Sequence, residues 1–163
     1  MIGDDTGTRQ GTPLELRPDH ATPERGAGAD GGPEPLRMVA AAEAAALVHV
    51  RRTLRSWLSG AGVDEDSSEC LQLAAYEALA NAASHAYPED DGGSVSMRAW
   101  VDGQVVHVEV ADHGTWRPPP ADPGSRGRGL LLMERCVDQV ELSRTASGTR
   151  VGLSRAVTLH STS

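Results

Sequence analysis

The chain has 163 residues and a net charge of −8, enough for one domain with a real core but not for two. An acidic balance argues against nucleic acid, whose binding leans on a basic surface. All fifteen basic residues are arginine, and with no lysine neither a P-loop nor a eukaryotic-type protein kinase site can be assembled.

Residues 1–34 are dense in Gly, Pro, Asp and Thr and cannot bury enough apolar surface to order themselves. They read as an acidic tail, in which Asp4, Asp5, Glu15, Asp19, Glu24, Asp30 and Glu34 outnumber Arg9, Arg17 and Arg25. The domain proper is expected over 35–158, with a short tail at 159–163. Pro35 to Val39 suits a short edge strand. From Ala41 to Leu58, Ala45, Val48, Leu54, Trp57 and Leu58 set against Arg51, Arg52 and Arg55 make an amphipathic helix, stopped by Gly60 and Gly62.

Asp64 or Asp66 then caps a second helix, whose centre, Leu71 to Tyr87, contains neither glycine nor proline. On it Glu77, Asn81, Ser84 and His85 fall in one polar stripe about 100° wide, and almost everything else is apolar. Such a stripe must face a partner, since unpaired buried polar groups are costly. Pro88 and the run Glu89 to Gly93 form a turn.

Val95–Asp102 and Val105–Ala111 read as strands joined at Asp102-Gly103. In the second, Val106, Val108 and Val110 alternate with His107 and Glu109, so one face is core. A proline-rich stretch, 113–126, leads to a helix over 129–137. Two final strands, Gln139–Arg144 and Thr149–Val157, flank a turn at Ser147-Gly148. Strands segregated from helices predict an α+β two-layer sandwich, its sheet mixed but mostly antiparallel, with the helices on one face.

Three features carry possible chemistry. Glu77 and Asn81, at i and i+4, point the same way. A carboxylate beside a carboxamide suits Mg²⁺-nucleotide work, the amide oxygen as a hard ligand and the carboxylate as proton acceptor. Taken alone, such a pair is more often a hydrogen-bonded core pair or an interface stripe. Asp112-His113-Gly114 ends an apolar strand, where a carboxylate can accept from an amino group, or simply start a turn. Gly127-Arg128-Gly129-Leu130 opens a helix, which can cradle an anion or be a plain loop-to-helix turn.

Together, E-x-x-x-N on an alanine-rich helix, D-x-G after a hairpin, G-x-G-L opening a helix and Gly148-Thr149 opening the last strand resemble the GHKL (Bergerat-fold) ATPase superfamily, and within it the anti-sigma-factor serine kinases. EALANAASHAY is similar to their N-box, DHG to the first glycine box and GRGLLLM to the second. The resemblance covers about residues 36–157. It implies a histidine-kinase-like ATPase domain that binds ATP and Mg²⁺, with Glu77 as general base, Asn81 as the metal ligand and Asp112 reading the adenine amino group beside Gly114. It implies phosphate contacts at Gly127, Arg128, Gly129 and Leu130, and places Thr149 near the adenine. Residues 115–126 become a lid, in which Trp116 replaces a family glycine and Pro118, Pro119, Pro120 and Pro123 add stiffness.

The partners implied are a STAS-domain anti-anti-sigma protein, phosphorylated on serine or threonine, a sigma factor, and a second copy of the chain. The alternative is a nucleotide-dependent module that sequesters a sigma factor with little turnover. A sensor histidine kinase is excluded, because too few residues separate His49 from Tyr76 to hold the second helix of a dimerisation hairpin. Cys70 and Cys136 suit two reduced thiols in a cytoplasmic protein. No signal pattern or membrane span is evident.

Overall fold

The chain was analysed as a computed structural model, in which residues 32–86, 93–114 and 126–160 are described. The acidic tail up to residue 31, the turn at 89–92, the lid over 115–125 and residues 161–163 lie outside them. Eight elements follow in order. They are β1 (Leu36–Ala41), α1 (Ala44–Gly60), α2 (Glu65–Ala86), β2 (Ser94–Asp102), β3 (Val105–Asp112), α3 (Arg126–Cys136), β4 (Gln139–Thr145) and β5 (Gly148–Ala156).

The strands form one sheet in the order β1-β2-β3-β5-β4. The sequence suggests a mixed sheet, but every pairing is antiparallel. β3 and β4 do run parallel, as a connection through α3 requires, yet β5 is inserted between them and bonds to both. β1 is an edge strand, as its sequence suggests.

Alternation decides which face is core. Val95, Met97 and Ala99 of β2, Val106, Val108 and Val110 of β3, and Val151 and Leu153 of β5 are all buried. In register with one another, they form the floor on which the helices lie. Arg98, Trp100, His107, Glu109 and Arg150 occupy the opposite face, where the His107 ring stacks on Trp100 at 5.0 Å between centroids.

α2 is the central helix. Leu71, Ala74, Ala75, Ala78, Leu79 and Ala82 are buried, and the alanines let the helix lie close to the sheet. Leu71 and Leu79 each stabilise the core by about 2 kcal/mol through removal from water. The helix starts at Glu65, ahead of its apolar stretch, because Asp64 caps it: Asp64 Oδ1 accepts from the Ser67 amide at 2.9 Å. Asp66 lies inside the first turn. Asp64 Oδ2 also accepts from the Thr158 amide at 3.0 Å, tying the end of the chain to the start of α2. These amides hold the Asp64 carboxyl below the usual carboxylate range, the Ser67 bond being the largest cause. Near the end of α1 the Trp57 indole donates to the Glu34 carbonyl at 2.8 Å, anchoring the approach to β1.

Candidate functional site at one end of the sandwich

Topology collects the predicted residues. α2 ends where β2 begins, the start of β2 pairs with the end of β3, and β5 begins beside that same end. Glu77 and Asn81 in the second half of α2, Asp112 at the end of β3, the first turn of α3 and Thr149 at the start of β5 therefore share one end of the sandwich.

Two clusters form there. In the first, α3 packs on α2 and Gly129 is buried against the polar stripe. A Cβ added at Gly129 would lie 3.2 Å from Glu77 Oε2 and 3.4 Å from Asn81 Nδ2. Glycine is thus what lets the α3 backbone approach these two side chains, both of them half-buried. α3 begins at Arg126, three residues earlier than its apolar pattern suggests, so Gly127 and Gly129 lie within its first turn and not before it. Arg128 and Leu130, expected beside the phosphates, are exposed neighbours of Gly129 on that turn.

In the second cluster, Asp112 is buried and its Oδ1 accepts twice, from the Gly114 amide at 3.1 Å and the Thr149 amide at 3.2 Å. The first bond is an Asx-type turn that ends β3; the second crosses to β5. With both donors on one oxygen, the carboxyl is fixed in orientation, and an anionic carboxylate can only accept. Gly148 makes the crossing possible. Its φ is +138°, and a Cβ there would collide with the Asp112 carbonyl oxygen and sit 2.9 Å from its carbon.

The rest of the stripe divides. Ser84 Oγ donates to the Ala80 carbonyl at 2.7 Å, so its hydroxyl is satisfied by its own helix. The His85 side chain lies outside the described residues. Gly148-Thr149 belongs to the sequence motif, but the part Gly148 plays in shaping the Asp112 end follows only from the strand pairing that brings the two together. Among the described residues no group of three or more His, Cys, Asp or Glu could hold a metal. A Mg²⁺ at Asn81 would draw its remaining ligands from phosphate and water, as this hard cation commonly does. These residues suit a nucleotide phosphate with its cation. Gly129 leaves open a cradle that a Cβ would fill, beside one carboxylate and one carboxamide.

Fold and site together define an ATPase-type domain, and comparison with known proteins agrees. Residues 40–155 match the histidine kinase-like ATPase domain, and the chain belongs to that family. It is similar to the serine-protein kinase RsbW of Bacillus subtilis, with 34% identity over 121 residues covering 65% of this chain and 75% of the relative. It also resembles the anti-sigma F factor of Anoxybacillus flavithermus, 30% identical over 97 residues, covering 50% of this chain and 64% of the relative. Among solved structures, that of the RsbU and RsbW domains of a Mycobacterium tuberculosis protein aligns with a TM-score of 0.60 at 26% identity, over 76% of this chain. The chain spans 32% of that larger structure. These matches place it among the serine/threonine protein kinases of the family. No described helix is long and apolar enough to cross a membrane.

Proposed function

We propose that this protein binds Mg-ATP and phosphorylates a serine or threonine of a small STAS-domain anti-anti-sigma partner, acting as an anti-sigma-type regulator in the cytoplasm. The observation that carries the reading is the approach of Gly129 to Glu77 and Asn81 across the α2–α3 contact. When bound, the nucleotide would supply the transferable phosphoryl group and Mg²⁺ would neutralise its charge.

The chain's own residues then have separate tasks. The Glu77 carboxylate, held on a rigid helix, accepts the proton of the attacking hydroxyl. The Asn81 carbonyl is the protein's ligand to Mg²⁺. Asp112, oriented by Gly114 and Thr149, accepts from the adenine amino group. The bare amides at the start of α3, at Gly127 and Arg128, would hold the phosphates with the helix dipole behind them, Gly129 and Leu130 would line the same turn, and the Arg128 side chain would add positive charge.

A second activity is favoured by the anti-sigma F factor among the relatives. We infer that the nucleotide-bound form sequesters a sigma factor, as a homodimer paired near the open β1 edge, where Val39 is 75% exposed.

The substitution Glu77→Ala separates these tasks. It should leave Mg-ATP affinity and any sigma-factor binding within about threefold, and lower phosphoryl transfer to the STAS protein by about 10²–10⁴-fold. Transfer that survives the substitution would remove Glu77 as the base. Loss of nucleotide affinity would instead assign it to binding.

A further inference from the structure

Cys70 and Cys136 are the only cysteines of the chain, and both are free thiols. Nothing in their separation along the sequence suggests a relation. In the fold, Cys70 on α2 lies close to the thiol of Cys136, the last residue of α3. The start of α2 and the end of α3 meet beside the close of β5, where Thr158 bonds to Asp64 and Arg155 to the Cys136 carbonyl. A buried residue touches about 6–12 others, so a single second cysteine would be among them by chance roughly one time in fifteen.

Their place on the helices adds a second relation. Cys70 precedes Glu77 by seven residues on α2, and Cys136 follows Gly129 by seven on α3. Seven residues are about two helical turns and return to the same face. The Cys70–Cys136 and Glu77–Gly129 contacts are therefore two points on one antiparallel seam, about 10 Å apart.

We infer that Cys70 and Cys136 are a reversible dithiol–disulfide pair, oxidised by peroxide, whose bond clasps α3 to α2 two turns from Glu77 and Gly129. Cys70 is half-exposed and Cys136 buried, so peroxide meets Cys70 first. Burial pushes the Cys136 thiol up, with the adjacent Cys70 adding to it, which leaves Cys136 the later of the two to react.

The Cys70 sulfur attacks one peroxide oxygen and the O–O bond breaks. This gives a sulfenic acid at Cys70 and one water. The Cys136 sulfur then attacks the sulfenic sulfur. An S–S bond forms, the S–O bond breaks, and hydroxide leaves to take the thiol proton as a second water. Two thiols have lost two electrons and the peroxide has gained them. The Arg155 guanidinium, which donates to the Cys136 carbonyl at 2.7 Å, favours the Cys136 thiolate in the second step.

Any consequence of the clasp for Glu77 and Gly129 rests on the nucleotide-site reading above, but the bond is testable without nucleotide. The reduced full chain is treated with hydrogen peroxide, then followed by thiol titration, peptide mapping and amide hydrogen exchange. The expected result is loss of both thiols, one peptide pair linked through Cys70 and Cys136, and amide exchange over 126–136 slowed by about tenfold or more. The thermal midpoint should rise by roughly 5 °C. Dithiothreitol should reverse all of it, and Cys70→Ser should show neither the link nor the slowing. Separate sulfinic acids at the two positions, or a link between two chains through Cys70, would overturn the pair. A linked peptide with unchanged exchange over α3 would overturn the clasp. None of these outcomes changes if the reduced protein fails to bind Mg-ATP.

Discussion

Gly148 sits where no other residue can, since its backbone passes against the Asp112 carbonyl in a conformation closed to side chains. The substitution Gly148→Ala should cost about 2–4 kcal/mol, combining backbone strain with a contact that only backbone movement can relieve. It should also free the Asp112 carboxyl by pulling the Thr149 amide away. Chemical denaturation measures the first effect. A midpoint within error of the wild type would show that β5 reaches Asp112 by another route. Residues at this scale were legible when their partners were near in sequence. Glu77 and Asn81, one turn apart on a helix free of glycine and proline, had to share a face, and that face does meet Gly129. Partnerships across the chain are legible only where the family resemblance supplies them, as it does in putting Asp112 and Thr149 both beside the adenine. Asp112 meets Thr149 and Cys70 meets Cys136 only because the sheet order and the α2–α3 contact bring them together. Ser84 shared the face of Glu77 but had a partner in its own helix.

Among the elements, α2 was read from composition because alanine and leucine favour a helix and its apolar surround demanded burial. Its start was ambiguous, as two acids could each cap it, and the Thr158 amide helps select Asp64. Asp64→Ala should destabilise the protein by about 1 kcal/mol, the usual worth of a cap. The folded-state pKa of Asp64 lies below its ordinary value, so its contribution is fully present above about pH 4 and fades as pH falls through the folded value. Asp64→Asn should therefore flatten the loss of stability below pH 4, as thermal melts across pH 2–6 would detect. An unchanged acid limb would detach the carboxylate from stability. α3 was the least legible helix. Arg126 to Gly129 have weak or unremarkable helix signals, and packing on α2 draws them into the helix. β3 is legible by its alternation and β2 by the hairpin it shares with β3, while β4 and β5 are legible mainly by the turn between them, β4 being exposed along most of its length.

For the molecule as a whole, helices and strands in their observed order were enough to predict two layers, but not the insertion of β5 between β3 and β4. That insertion makes the sheet wholly antiparallel and puts Thr149 beside Asp112. If this end of the sandwich holds Mg-ATP, ligand bound only to the folded state adds about 2.7 kcal/mol at one hundred times its dissociation constant. The thermal midpoint should then rise by roughly 5 °C or more in millimolar Mg-ATP. It should rise less for Asn81→Ala. No shift would remove the nucleotide from this end of the fold. On the opposite face of the sheet, the Trp100–His107 stack has a different use. Burial lowers the His107 pKa, partly offset by Asp102 and Glu141, so the ring stays neutral to a lower pH than an ordinary histidine does. A protonated imidazole stacked on an indole quenches its emission, and Trp100 is one of only three indoles in the chain. The protein thus contains its own fluorophore and titrating quencher on the face the helices leave bare, an optical gauge of whatever comes to lie against that side.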